Sequence, residues 1–251
     1  MGDIRRADFY DGPAHDYLGY WKGRDYEHEA ERIAIDRLLS GRHFAHAVDV
    51  GGGYGRITAL LPQYADHVTL AEPSKVQLDK AAKYLGEGVE RIQAQAAALP
   101  FATGSIDLVT MVRVMHHLPD PTAELAEIAR VLDPVGLAVI EVANLGHARN
   151  RLRHLGRGVP TEPVDIRSPE NRHDDEIPFV NHNLDTVTRQ LSDAGLRVVR
   201  SLSVSNLRSG ALKRVVPHRV LLRVERAAQP ALARCRFGPS IFLLVTRTPS
   251  P

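Results

Sequence analysis

A chain of 251 residues is long enough to bury a core without disulfides or structural metals, and it reads as one domain with elaborations. Its 32 Lys and Arg against 30 Asp and Glu leave a formal charge of +2, so no global field argues for a nucleic-acid partner. The single cysteine, Cys235, excludes an internal disulfide; with no apolar run able to span a bilayer and a polar opening through Arg24, a cytoplasmic protein is expected.

In chain order, residues 1–24 are rich in Tyr, Asp and Gly, and 26–40 place Ile33, Ile35, Leu38 and Leu39 among charges, which predicts a helix. Residues 45–50 form a short apolar strand ending in glycines, followed by a helical pattern over about 55–63. A second strand spans 67–71, and Ser74 caps a helix running to about Leu85. Strands at 90–93, 106–112 and 137–142 come next, with a helix at 122–131 before the last of them. This alternation predicts an α/β fold, a doubly wound and mostly parallel sheet covered by helices on both faces. Ligands of such sheets bind beyond the carboxyl ends of the strands.

Periodicity fails over 146–182, basic first (Arg149, Arg151, Arg153, Arg157) and acidic later (Asp174, Asp175, Glu176), which predicts an inserted loop or lid. A helix at 184–194 ends at Gly195, and strands follow at 196–204 and 241–245. Between them, residues 207–236 carry eight Lys or Arg against one Glu, with apolar residues interspersed. Pro217 and Pro230 are expected to break this stretch into pieces too short for a long amphipathic helix, so a helical cover on the sheet is favoured over peripheral membrane contact. The parts are then an N-terminal cap (1–40), a ligand-binding core (41–145), the lid (146–182) and a closing part of the sheet (183–251) that holds the basic insertion.

The segment from Val48 to Arg56 joins the first strand to the helical pattern after it, and its glycines allow backbone to approach a ligand closely. A dinucleotide fingerprint needs glycine at the sixth place from Gly51, which Arg56 occupies. Asp49 would repel a pyrophosphate but attract the ammonium group of a methionine moiety. Both features speak against a nicotinamide oxidoreductase, and a P-loop lacks its Lys-Ser/Thr pair. Glu72 ends the second strand 21 positions after Gly51, where a carboxylate suits a ribose diol.

Asp49-x-Gly51-x-Gly53-x-Gly55, Glu72, Leu99-Pro100-Phe101 with Ser105-Ile106-Asp107-Leu108-Val109, His116-His117-Leu118, and Arg130 through Gly136 together resemble class I S-adenosylmethionine-dependent methyltransferases. The resemblance is to the broad type 11 branch that includes quinone-biosynthesis enzymes, and it covers residues 45–145. It implies a Rossmann-like sheet of seven strands with the last antiparallel, S-adenosyl-L-methionine as cofactor without a metal, and methyl transfer to a small-molecule acceptor. Gly51 and Gly53, with Asp49 and Gly55 in the same loop, would line the methionine portion, Glu72 the ribose, and Gln95-Ala96 the adenine. Gln95 stands where the family usually has Asp; its amide oxygen still accepts a hydrogen bond, without charge assistance.

Sulfonium methyl transfer needs mainly orientation, with a base only where the acceptor must lose a proton. His116 and His117 follow the fourth strand, and His116 is the preferred candidate base. Arg113, at the carboxyl end of the same strand, would bind a carboxylate of cofactor or acceptor. The aromatic cluster of Tyr17, Tyr20, Trp21 and Tyr26, with Arg24 and Glu27, either packs as ordinary core or closes the site, in which case Arg24 or Tyr26 would hold the methionine carboxylate. Asp107 starts its strand and is expected to be structural. The alternative to an enzyme is a regulatory protein that binds the same cofactor without turning it over.

Overall fold

The structure is a computed structural model that describes residues 17–153, 155, 158–167 and 178–249. Residues 1–16 of the expected N-terminal cap, together with Arg157, Asp174, Asp175 and Glu176 of the expected lid, lie outside the described residues.

Apolar runs bounded by turn residues become seven strands: β1 (Phe44–Val50), β2 (Ala65–Glu72), β3 (Glu90–Gln93), β4 (Ile106–Met111), β5 (Leu132–Ala143), β6 (Leu196–Val204) and β7 (Ser240–Arg247). They lie in one sheet in the order β3-β2-β1-β4-β5-β7-β6. The first five run parallel to one another, and β7 runs antiparallel to both β5 and β6. β6 therefore points the same way as β5, and its carboxyl end shares an edge with those of β1, β2 and β4. This edge carries the site.

Successive residues of a strand face opposite sides of the sheet, so each central strand feeds two cores. Ala47, Leu108, Val139 and Phe242 pack with α2 (Asp25–Leu39) and α3 (Lys75–Leu85) through Ala34, Leu38 and Leu78. Their neighbours Val48, Val109, Ile140 and Leu243 pack with α4 (Thr122–Val131) and α6 (Leu184–Asp193) through Leu125, Ile128, Val187 and Leu191. A short α1 (Tyr17–Tyr20) precedes α2, and α5 (Ala148–Arg153) opens the segment expected to be irregular. Asp107 accepts from the backbone N–H groups of Ala45 (2.7 Å) and His46 (2.8 Å), tying the beginnings of β4 and β1 together at the edge away from the site.

The chain also differs from expectation after the glycine loop and in the basic insertion. The helix expected over 55–63 is a 3-10 segment only from Thr58 to Gln63, because Gly55 takes a left-handed φ of +94° and Pro62 cannot donate to a longer ladder. The basic insertion forms α7 (Gly210–Val215) and a continuous 17-residue α8 (His218–Arg234), with Pro230 inside it. Pro217 does break the stretch; Pro230 does not. The carbonyl that Pro230 leaves without its helical donor belongs to Arg226, and Arg37 of α2 donates its guanidinium to it at 3.0 Å. A tertiary bond thus replaces the lost backbone bond.

α8 covers the sheet with Leu221, Glu225, Gln229 and Ala233, a four-residue spacing that makes one face. Burial raises the Glu225 pKa, yet its carboxylate is well supplied: Tyr26 donates at 2.6 Å, and Asn206 donates through its backbone and its side-chain amide, both at 3.0 Å. Gln229 donates to the Ala30 carbonyl (2.9 Å), so α8 is fastened to α2 by polar bonds across a buried seam.

Candidate active site

Gly51 leaves β1 at a φ of +67°, and a Cβ there would sit 2.6 Å from the Val114 side chain. The position thus needs glycine on both backbone and packing grounds, and it brings the loop after β4 against the loop after β1. Beneath the glycines lies Asp49, fully buried. It accepts from the hydroxyls of Thr58 and Thr110, each at 2.7 Å, and a side chain on Gly52 would run into its carboxylate. Burial raises its pKa, with the two hydroxyl bonds opposing. Expected to face an ammonium group, Asp49 is turned under the loop that it supports.

Glu72, at the carboxyl end of β2, accepts from the backbone N–H of Gly53 and of Ser74, each at 2.9 Å. One carboxylate therefore clamps the glycine loop to the start of α3, whose Ser74 N-cap accepts from the Gln77 N–H. Gln95 and Ala96 follow β3, which pairs with β2 up to Gln93 opposite Glu72. The Gln95 side chain is exposed and Ala96 half-buried.

Arg113 leaves β4 with a φ of +66°, unusual for a residue with a side chain. Its backbone N–H donates to Glu141 (3.1 Å) and its guanidinium to the Tyr20 hydroxyl (3.1 Å). Arg24 donates to that same hydroxyl at 2.9 Å. Arg56, in the place of the third glycine of a dinucleotide fingerprint, is buried against Glu31 of α2 at 2.6 Å, with its guanidinium 3.6 Å from the Trp21 ring centroid. Glu31 also meets Arg113 at 3.7 Å. The aromatic segment before α2 thus lies over three arginines, one from the glycine loop, one from the end of β4 and one of its own.

His116 and His117 stand on a 3-10 turn after β4, with ring centroids 3.9 Å apart, and Phe179 lies 4.7 Å from His116. Burial, then the charges of His117 and Arg113, holds the His116 pKa well below the usual imidazole range, so it is neutral at pH 7. His117 is half-buried, and its Nδ1 lies 2.9 Å from the Pro178 carbonyl. Since a carbonyl only accepts, Nδ1 carries the proton in that bond.

His147, at the start of the segment after β5, is held at a pKa of about 4 by burial and by the charges of Arg208, Arg149, Arg153 and Arg151. A histidine whose folded pKa lies below its unfolded one favours folding above about pH 6.5, and that contribution is lost as pH falls toward 4. His147→Asn should therefore narrow any stability deficit, or become the more stable protein, as pH drops from 7.5 to 4.5. Thermal melts of parent and variant at both pH values check it; a constant difference would mean that His147 does not titrate in that window.

Residues 48–140 match the family described as methyltransferase domain. The chain is 34% identical over 196 residues to an O-methyltransferase of Penicillium expansum, covering 73% of this chain and 65% of that protein. It is 26% identical over 187 residues to a ubiquinone biosynthesis O-methyltransferase of Aromatoleum aromaticum, covering 71% and 76%. The chain thus carries a methyltransferase domain over residues 48–140. As a methyltransferase fold it also superposes on the Burkholderia thailandensis 1,6-didemethyltoxoflavin-N1-methyltransferase, a structure with bound S-adenosylhomocysteine, with a TM-score of 0.61 at 18% identity, covering 98% of this chain and 88% of that one. The chain spans less than two thirds of the length of several curated relatives that it matches, 56% and 36% in two further cases.

Around this candidate site, the sequence pattern does not reveal Glu31 and Glu141. Glu141 carries a signal, a lone carboxylate inside the apolar run of β5; burial raises its pKa, and it accepts from Ser240 (2.5 Å) as well as Arg113. Glu31 carries none, since a charge on a helix is most often solvated.

Proposed function

We propose that this chain transfers a methyl group from S-adenosylmethionine to a small-molecule acceptor. The observation that carries the reading is the Glu72 clamp on Gly53 at the carboxyl edge of the sheet, beside Gly51, whose backbone a side chain could not occupy. The residues fit the cofactor: glycine backbone at Gly51 and Gly53 for the methionine portion, and the Glu72 carboxylate at the end of β2 for a diol. When bound, the cofactor supplies a sulfonium-activated methyl group.

The chain's own residues then bind and orient. Asp49 and Gly55 shape the glycine loop from below and behind, Glu72 takes the ribose, Gln95 and Ala96 the adenine edge, and Arg113 a carboxylate. His116, buried between His117 and Phe179, is the candidate base for an acceptor that must lose a proton, and His117 is held beside it by its Nδ1 bond to the Pro178 carbonyl. The acceptor atom, O, N or C, depends on which nucleophile this pair and the segment after β5 align.

Titration with S-adenosylhomocysteine and with NAD, followed by mass-spectrometric detection of methyl transfer to a panel of phenols, amines and hydroquinones, tests the reading. Binding of S-adenosylhomocysteine without turnover of any acceptor would favour the regulatory alternative; tighter binding of NAD would overturn both. Gln95→Asp should bind S-adenosylhomocysteine at least as tightly as the parent, because the side chain is exposed and the exchange adds charge to an acceptor. Calorimetry decides it: a loss of about tenfold, about 1.4 kcal/mol, would take the adenine edge away from Gln95.

A further inference from the structure

The methyl-transfer reading leaves unused the outer surface of two segments far apart in sequence. α5 follows the carboxyl end of β5, and α7 with α8 follows that of β6; because β6 runs parallel to β5, both segments leave the same edge of the sheet. The Ala148 N–H donates to the Phe237 carbonyl at 2.9 Å, and Arg151 donates to the Cys235 carbonyl at 2.7 Å, so α5 is bonded to the chain just beyond α8. The effect of the Arg208 charge on His147 places the turn before α7 beside the start of α5 as well.

On this surface large aliphatic side chains face solvent. Leu152 is 72% exposed, Leu155 79%, Val215 82%, Val220 43% and Val224 48%. On α8, Val220 and Val224 continue with Ala227 and Ala231 at spacings of four, three and four, a second apolar stripe on the side away from the buried Leu221–Ala233 face. Exposed arginines border both segments: Arg149, Arg151 and Arg153 on α5, and Arg214, Arg219 and Arg223 on α7 and α8. Residues 147–155 contain no carboxylate, and the only one in 207–236 is Glu225, which is buried in the seam with α2.

We propose that α5, α7 and α8 form a docking surface for an anionic lipid bilayer. Arginines without carboxylates among them attract an anionic surface, and that attraction is screened by salt. The aliphatic side chains select a bilayer over a nucleic acid, which would use the arginines but has no apolar layer to receive Leu152 and Val215. The continuity of α8 through Pro230 supplies the length that sequence reasoning denies it. Docking in this way sets the carboxyl edge against the membrane, so the acceptor is an amphiphile drawn from the bilayer; this last point rests on the methyl-transfer reading, whereas the docking does not.

Cosedimentation of the full chain with vesicles of phosphatidylcholine alone, and with equal parts phosphatidylcholine and phosphatidylglycerol, tests the docking at low salt and at about 0.15 M, where the Debye length is about 8 Å. Binding to the anionic vesicles should exceed that to the neutral ones by at least about tenfold, weaken with salt without vanishing, and drop at least about tenfold in Val215→Asp/Val220→Asp. Val215→Trp adds a direct reporter of insertion, read against the parent, whose one tryptophan is Trp21. Its emission should shift to the blue on anionic vesicles and be quenched by brominated lipid tails. No cosedimentation at low salt overturns the proposal, as does retention on heparin and vesicles alike without a blue shift, which would make the surface a general polyanion site. Calorimetry with S-adenosylhomocysteine on each variant should match the parent. A parent that fails to bind S-adenosylhomocysteine would sink the methyltransferase reading and leave the docking result standing.

Discussion

Gly53→Arg should raise the Kd for S-adenosylhomocysteine by at least about a hundredfold, about 2.7 kcal/mol, in a protein that still folds. Gly53 sits at a φ of +60° and its N–H donates to Glu72, so the loop is held in the place where, in the proposed reading, its backbone lines the cofactor site. A side chain there faces two costs. The left-handed backbone costs a residue with a Cβ about 1–2 kcal/mol, and the guanidinium chain fills space that the methionine portion needs. Gly86→Ala separates the two effects, since Gly86 has a φ of +70° with nothing within 4 Å of an added Cβ and lies at the far end of α3. Calorimetry on both variants, with circular dichroism as the folding control, should show normal affinity for Gly86→Ala. Normal affinity for a folded Gly53→Arg would remove the glycine loop from the cofactor site.

Glu31→Ala should cost stability of about 3–5 kcal/mol, the effect of stranding a buried charge. Arg56 and Glu31 are 5% and 2% exposed and bonded at 2.6 Å, with His28 accepting at 2.7 Å from the same guanidinium and Trp21 lying against it. Removing the carboxylate leaves Arg56 in the protein interior without its bonded counter-charge and releases Arg113 from its weaker contact with Glu31. For a chain of this length, that corresponds to a melting-temperature loss on the order of 10 °C. Replacing both partners, Arg56→Met with Glu31→Leu, should recover most of the loss, because neither buried charge then remains. A single variant within about 1 kcal/mol of the parent would show that water reaches the pair.

The same pair separates what is local in this chain from what is not. Strand and helix positions depend on a residue's near neighbours: apolar runs bounded by glycines, and the Ser74 cap. Those signals lie within a few residues of one another, and β3, α4 and β6 fall at the residues where the pattern places them. The glycine loop is legible for the same reason, since Gly51 needs its backbone freedom whatever surrounds it, and the 21-residue step to Glu72 follows from the length of a strand-helix-strand unit.

Position 56 shows the limit. The sequence alone determined that Arg56 is not the glycine of a dinucleotide fingerprint; only the tertiary structure decided that it is buried, because its partner Glu31 lies 25 residues earlier, on α2. By sequence Asp49 is a charge facing a ligand, and the hydroxyls that turn it inward come from Thr58 beyond the loop and Thr110 on the neighbouring strand. By sequence Pro230 is a break, because proline removes a local backbone bond. The replacement comes from Arg37, across the seam between α2 and α8, where no local rule reaches. Composition and spacing thus determined the sheet, its glycine loop and the carboxylate after β2, whose energies are set within the segment. Partners for the buried charges, and the alignment of two basic segments along one edge, depend on long-range packing that only the folded chain decides.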